Sequence, residues 1–423
     1  MNVSIEKSTA RGEISAPPSK SYAHRYIIGA ALARGESEIE NVCLSEDIRA
    51  TIDCARALGA SVVFDEVTEK PQTIRIAGVA GKAKSGGEFF CRESGSTLRF
   101  FLPLALSCRC DSEKNASTPA IFRGSRRLIE RGISVYEEAF KNSVQFEKRI
   151  ADGYGEVNVC GKILPGKYAL RGNESSQFFT GLLFALPLLN GDSELEILPP
   201  AESAGYIDLT LETLKIFGIK VEKTAKNAWF IAGNQHFRAG KFRVEGDYSN
   251  AAFLYAFNAL GGDVKISGLN ENSLQGDKVC TQLLKRLTES FTEADLSDCP
   301  DLAPVLFAIA AAKHGARFSG TRRLKIKESD RAEAMREELE KFGAIVKIAE
   351  NEVKIIPPPG GLQTPEFPLS SHGDHRIAMA VSVLFSLTGG TISDAEAVKK
   401  SYPDFFEDLS SLGIKVRKTD EKR

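Results

Sequence analysis

Pro17-Pro18-Ser19-Lys20-Ser21-Tyr22-Ala23-His24-Arg25 sets a lysine, two serines and an arginine around the expected start of a helix. Ser19 or Ser21 can cap that helix, and Ser21 and Arg25, four residues apart, share one helical face. Unbonded backbone N–H groups and the positive end of the helix dipole add to that face, which then favours a phosphate or a carboxylate. A capped surface helix with stray basic residues reads the same way, so this stretch alone leaves both readings open.

Other polar clusters stand ahead of apolar helical runs. Glu174-Ser175-Ser176-Gln177 precedes Phe178 to Leu188, and Gly373-Asp374-His375-Arg376 precedes Ile377 to Leu384. Lys327-Glu328-Ser329-Asp330-Arg331 precedes a helical stripe of Ala332, Met335, Leu339 and Phe342. Asp330 and Glu333 have the spacing of a capping box. Ordinary capping places Asp and Glu in the first turn. Lys20, Arg331 and Arg376 oppose the dipole there and call for another reason, such as a bound anion. Helices stacked in parallel would aim several such N-termini at one cleft.

The elements that position these residues show a recurring joint, in which a helix ends in an apolar residue, then Gly, then a short β-type run. It occurs at Gly59, Gly218, Gly261, Gly343 and Gly413. A left-handed glycine closing a helix and leading at once into a strand accounts for it. The irregular spacing excludes a solenoid of short repeats and predicts a few larger α/β units in each of two domains.

A chain of 423 residues exceeds one ordinary core, which also argues for two domains. With 42% hydrophobic and 26% charged residues it reads as a soluble globular protein, and no apolar run reaches the roughly 18 residues of a membrane span. The N-terminus lacks an apolar signal core, so a cytoplasmic location is expected. A net charge of −1 gives no reason to seek nucleic acid. The eight cysteines form no C-x-x-C pair, Cys108-Arg109-Cys110 is too close for a zinc knuckle, and His372 with His375 is a weak metal pair. No metal is expected. Neither G-x-x-x-x-G-K-[ST] nor G-x-G-x-x-G occurs, so no nucleotide cofactor is expected either.

Five segments in order resemble the 5-enolpyruvylshikimate-3-phosphate synthase family and span nearly the whole chain. They are Lys20-Ser21 with Arg25; Glu93-Ser94-Gly95-Ser96-Thr97-Leu98-Arg99; Ser175-Ser176-Gln177-Phe178; Lys327-Glu328-Ser329-Asp330-Arg331; and Gly373-Asp374-His375-Arg376 followed by Lys400-Ser401-Tyr402-Pro403-Asp404-Phe405-Phe406. The resemblance implies an α/β fold of two similar lobes, each of three βαβαββ units around buried parallel helices, an inside-out α/β barrel. It implies a discontinuous first lobe, 1–14 with 242–423, and a second lobe, 15–241, with crossings near 14–21 and 239–246. It implies transfer of the enolpyruvyl group of phosphoenolpyruvate to the 5-hydroxyl of shikimate 3-phosphate through a tetrahedral intermediate, with release of phosphate and with closure of the lobes.

By the same resemblance, Lys20, Gly95, Arg131, Gln177, Arg331, Arg376 and Lys400 surround phosphoenolpyruvate. Lys20, Ser21, Arg25, Ser175, Ser176, Gln177, Ser203, Asp301 and Lys327 hold shikimate 3-phosphate, and Tyr206 lies beneath its ring. Asp301 and Glu328 do the acid–base work, Asp301 at the hydroxyl and Glu328 at the methylene carbon, with Lys20 as a further proton donor. The partners are these two small molecules, and a monomer is implied. The chain departs from the family pattern at Glu93, which adds a negative charge near an anion site and could pair with Arg92 or Arg99. Gly132 follows Arg131 where the family has Pro, and Arg126 and Arg127 offer other registers. Three other readings compete, one of them a catalytically dead phosphate-binding module, against which Asp301, Glu328 and Lys20 together argue. A UDP-N-acetylglucosamine enolpyruvyl transferase would place a cysteine in the loop between Ile121 and Ile133, where this chain has none. An RNA 3′-end cyclase-like protein would want a nucleotide-accepting His and a basic surface.

Overall fold

The structure is a computed structural model that describes residues 1–64, 70–81, 83, 86–107 and 118–419. The Cys108-Arg109-Cys110 stretch lies outside the described residues. Two compact units emerge, Met1–Ser19 with Glu245–Arg423, and Lys20–Val244. The resemblance put the boundaries a few residues earlier, at 14/15 and 241/242. Backbone pairing accounts for the difference. Arg11–Ser15 runs parallel to Asp263–Ser267, and the pairing continues beyond Ser15. The N–H of Ala16 donates to Ser267 (2.9 Å), that of Asp247 to Pro17 (2.8 Å) and that of Ser19 to Glu245 (2.8 Å).

Within Lys20–Val244, three four-stranded sheets among the described residues follow one rule of one parallel pair and then two antiparallel neighbours. Lys241–Arg243 lies parallel to Glu36–Val42, which continues antiparallel to Gln72–Ala77 and then Ser61–Phe64. Gly87–Arg92 lies parallel to Ala120–Ser125, followed by Tyr154–Gly161 and Val144–Ile150. Lys167–Arg171 lies parallel to Ser193–Leu198, followed by Ala228–Ile231 and Glu222–Ala225. A helix precedes each closing hairpin; the second and third sheets run βαβαββ along the chain, while in the first the helix Lys20–Leu32 leads into Glu36–Val42 and the parallel strand Lys241–Arg243 is supplied from the end of the unit.

The other unit obeys the same rule in two sheets. Thr292–Asp295 lies parallel to Ala316–Ser319, then come Glu352–Ile356 and Ile345–Ala349. Leu369–Ser370 lies parallel to Gly390–Ser393, then come Asn2–Ile5 and Val416–Thr419. The chain is therefore built of two similar α/β lobes of repeated βαβαββ-like units.

Among the described residues, three helices in each unit are buried almost all round: Lys20–Leu32, Gly95–Ser107 and Ser176–Ala185 in one, Tyr248–Ala259, Ala303–Ala312 and His375–Thr388 in the other. Their sequences lack a polar stripe because sheets and outer helices sheath them on every side. The predicted joints follow the expected geometry. Gly59, Gly218, Gly261, Gly343 and Gly413 have φ of +108°, +81°, +98°, +87° and +84°, each just after a helix and just before a strand. A side chain there would force the αL strain that glycine avoids.

Candidate active site

The predicted site residues fall into two clusters, one per unit; Lys20, Ser21, Gly95, Ser175, Ser176, Gln177, Asp301 and Arg376 stand at the starts of the buried helices, and Arg131, Ser203, Lys327, Glu328, Arg331 and Lys400 lie outside them. In Lys20–Val244 the helix Lys20–Leu32 begins at the lysine itself, with Ser19 at the cap position and Ser21 inside the first turn. Lys20 Nζ lies 2.8 Å from Asp47 Oδ2. Arg25 is buried, and its donors go largely to the protein: Nε to Thr210 Oγ1 (2.9 Å), one terminal nitrogen to the Ser21 carbonyl (2.8 Å), the other to Thr180 Oγ1 (3.3 Å) and the Tyr206 carbonyl (2.9 Å). Burial pushes its pKa down to about 10. A five-donor guanidinium so engaged works first as a tie between helices Lys20–Leu32, Ser176–Ala185 and Ala204–Ile216.

Gly95 opens the helix Gly95–Ser107, and a Cβ built on it would sit 3.2 Å from a terminal nitrogen of Arg131. This contact favours Arg131 over its neighbours as the arginine of this cluster; Arg126 instead pairs with Glu130 at 2.6 Å on an exposed face. Gln177 is held from both ends, accepting from Arg99 (2.6 Å) and donating to Ser96 Oγ (2.9 Å). Ser175 caps its helix by accepting from the Gln177 N–H (3.3 Å), and Ser176 is buried in the first turn. Ser203 precedes the helix Ala204–Ile216 with a left-handed φ of +60°, and Tyr206 is half-buried in its first turn. Glu93 is exposed, while Arg92 pairs with Glu46 (2.5 Å) and Asp53 (3.0 Å).

The cluster of the other unit is an ion network. Asp301, just ahead of Ala303–Ala312, accepts from Lys327 Nζ (3.0 Å) and Arg331 (2.8 Å) on one oxygen and from Arg376 (3.2 Å) on the other. Arg331 also reaches Glu328 (2.7 Å) and Asp374 (2.8 Å), and Lys400 Nζ lies 3.7 Å from Glu328. Asp374 caps His375–Thr388 through the Arg376 N–H (2.9 Å) and also accepts from Ser329 Oγ (3.2 Å). Burial pushes the Asp301 carboxyl up, but Arg376, Lys327 and Arg331 together hold it well below the usual carboxylate range. Burial lowers the Lys327 pKa, with Arg331 and Arg323 adding to the effect and Asp301 and Glu328 opposing it.

Lys20, Arg331 and Arg376 stand in the first turns of their helices, against the dipole. Each already faces a carboxylate of its own unit, which offsets its position against the helix dipole. Sequence reasoning missed two of those partners, Asp47 and Asp374. Asp374 stood in a quoted motif and its cap position was readable; Asp47 carried no local signal. Of possible metal ligands, the described residues bring together Glu337, Glu338 and His372. Both oxygens of Glu338 already accept from Lys341 Nζ, at 3.0 and 2.8 Å.

A family model for EPSP synthase (3-phosphoshikimate 1-carboxyvinyltransferase) matches residues 5–409. The chain belongs to the EPSP synthase family. A 3-phosphoshikimate 1-carboxyvinyltransferase from Clostridium novyi (strain NT) is 37% identical over 438 residues, covering 97% of each chain. One from Clostridium perfringens (strain 13 / Type A) is 40% identical over 441 residues, covering 97% of this chain and 98% of the relative. A solved EPSP synthase from Acinetobacter baumannii superposes with a TM-score of 0.75 over 99% of this chain and all of that one, at 24% identity, a likeness of fold. No helix among the described residues is long and apolar enough to cross a membrane.

Proposed function

We propose that the two clusters serve the two anionic substrates and the proton movements of a single reaction. The chain transfers the enolpyruvyl group of phosphoenolpyruvate to shikimate 3-phosphate, in the shikimate pathway to the aromatic amino acids. In this reading the 5-hydroxyl loses its proton to Asp301 as its oxygen attacks the enol carbon. The methylene carbon takes a proton from Glu328 or Lys20. The tetrahedral ketal then collapses by the reverse proton movements, and phosphate leaves. Lys20, Gly95, Arg131, Gln177, Arg331, Arg376 and Lys400 hold phosphoenolpyruvate. Ser21, Arg25, Ser175, Ser176, Ser203 and Lys327 hold shikimate 3-phosphate, with Tyr206 against its ring. The reading includes a cytoplasmic monomer with no cofactor, metal, nucleic acid or membrane partner.

One observation supports it above the others: Asp301 is gripped by Lys327, Arg331 and Arg376 at once. A carboxylate so clamped is a weak base. Phosphate and carboxylate groups of the substrates compete for the same cations, the arginines bidentately. As the cations turn to them, the Asp301 pKa climbs back toward its ordinary value and the group becomes able to accept a proton. Basicity then appears only when both substrates are in place, and positioned acid–base groups of this kind typically contribute about 10²–10⁴-fold.

The test is a phosphate-release assay. Release should require phosphoenolpyruvate and shikimate 3-phosphate together, and UDP-N-acetylglucosamine should not replace the latter. Lys20→Ala and Asp301→Ala should each lower turnover at least about a hundredfold. Unchanged turnover in both variants would refute the assignment.

A further inference from the structure

Four buried side chains form a continuous line through the unit Lys20–Val244. His24 Nδ1 lies 2.6 Å from Thr51 Oγ1, and Thr51 Oγ1 lies 2.8 Å from Thr97 Oγ1. Thr97 donates its hydroxyl to Ser94 Oγ (2.8 Å), which also accepts the Thr97 N–H (3.2 Å). None of the four is more than 1% exposed. Each stands beside a residue of the candidate site. His24 is one turn beyond Lys20, Thr51 is one turn beyond the lysine's partner Asp47, and Ser94 and Thr97 bracket Gly95 and Ser96.

Counting protons fixes the direction of the line. Thr97 spends its only hydroxyl proton on Ser94, so the proton between the two threonines belongs to Thr51. The Asp47 carbonyl, 3.2 Å away, is a second acceptor for that proton. Two hydroxyl oxygens 2.8 Å apart need a proton between them, so Thr51 donates to the nearer acceptor, Thr97, has none left for His24 and must accept. His24 therefore carries its proton on Nδ1. Its Nε2 has no hydrogen-bond partner among the described residues, and the ring meets Phe100 edge-on with centroids 6.2 Å apart. Burial, aided by Lys20 and Arg25 and opposed by Asp47, pushes its pKa down to about 3, so the neutral ring is the stable form.

We propose that His24 is a positioning residue: its Nδ1–H, relayed through Thr51 and Thr97, holds the Ser94–Thr97 turn in register with Lys20, so that Gly95 and Ser96 are fixed where phosphoenolpyruvate binds. The proposal rests on the functional reading above. It explains why a histidine is buried here at all. The line needs a donor in a fixed direction at its head, and the ring supplies one without a charge.

Three variants of the full chain test it. His24→Leu removes the donor, Thr97→Val cuts the line downstream, and His24→Asn keeps an N–H close to the place of Nδ1. His24→Leu and Thr97→Val should each raise the KM for phosphoenolpyruvate about tenfold, the scale of one buried polar group left unpaired. The KM for shikimate 3-phosphate should stay within about twofold. His24→Asn should recover most of the loss, and the Leu/Val double variant should be no worse than the poorer single. The proposal is overturned if both KM values rise together, if Asn is as poor as Leu, or if the single effects add. ¹⁵N NMR of the imidazole should show a protonated Nδ1 at neutral pH; a protonated Nε2 would overturn the proposal without reference to turnover. If the Leu variant does not fold, Thr97→Val, His24→Asn and the tautomer decide the matter. A wild-type chain that turns over neither substrate would refute the functional reading instead, and the tautomer would still be legible.

Discussion

Asp301 and Gly95 show how single side chains set the chemistry of the clusters. In the cluster of Asp301, four cations (Lys327, Arg331, Arg376 and Lys400) meet three carboxylates (Asp301, Glu328 and Asp374). Asp301→Asn frees three of those cations from a competitor. Turnover should therefore fall about 10²-fold or more, while calorimetric binding of phosphoenolpyruvate in the presence of shikimate 3-phosphate should be unchanged or tighter. Weaker binding would show that Asp301 positions the cations rather than competing for them. The same clamp has a pH signature. The folded carboxyl titrates below its ordinary value, so its contribution to stability is full above about pH 4 and is lost as the pH falls below that. Asp301→Asn should accordingly flatten the acid limb of the stability profile. At Gly95, a methyl group would press on the Arg131 guanidinium at 3.2–3.3 Å. The far end of a flexible side chain can give way, so Gly95→Ala should fold normally and raise the KM for phosphoenolpyruvate severalfold. In an Arg131→Ala background the added methyl should cost much less. Additive effects would place Arg131 elsewhere in function.

At the scale of elements, the helix starts are where the fold and the candidate site meet. Asp374 is fully buried, caps His375–Thr388, and takes two donors of the buried Arg331, at 2.8 and 3.3 Å. Asp374→Ala removes a cap, worth about 1 kcal/mol, and strands a buried arginine, for which breaking a buried pair costs about 3–5 kcal/mol. Glu328 and Asp301 still face Arg331, so the lower part of that sum is expected. Urea unfolding should show a lower midpoint with an unchanged slope, and Asp374→Asn, which keeps the cap acceptor, should fall in between. An unaltered midpoint would mean the network carries no net stability. The helices and joints were legible in the sequence because their signals are local. Asp330 does accept the Glu333 N–H at 3.3 Å, and Ala332, Met335, Leu339 and Phe342 are all buried. The partners were not legible. Lys20 and Asp47 are 27 residues apart and Arg331 and Asp374 are 43 apart, with no periodicity linking either pair. The antiparallel pairing of Asn2–Ile5 with Val416–Thr419 was hidden for the same reason.

At the scale of the whole molecule, each unit has its own hydrophobic core, and the chain crosses between them only at 19/20 and 244/245. The strand Lys241–Arg243, at the C-terminal end of Lys20–Val244, is paired with Glu36–Val42, so its sheet is complete without residues from outside the unit. In the other unit the Ser19 N–H donates to the Glu245 carbonyl at 2.8 Å, so the two cut ends already touch and a short loop can join them. Residues 20–244 expressed alone should therefore fold cooperatively, with dispersed NMR signals and a defined thermal midpoint, and the full chain should melt in two resolvable steps. The fragment should release no phosphate, since Asp301 and Glu328 lie outside it. A fragment that stays molten while the full chain melts in one sharp transition would mean that neither core is sufficient by itself. The repeated βαβαββ units would then describe the topology without being the units of stability.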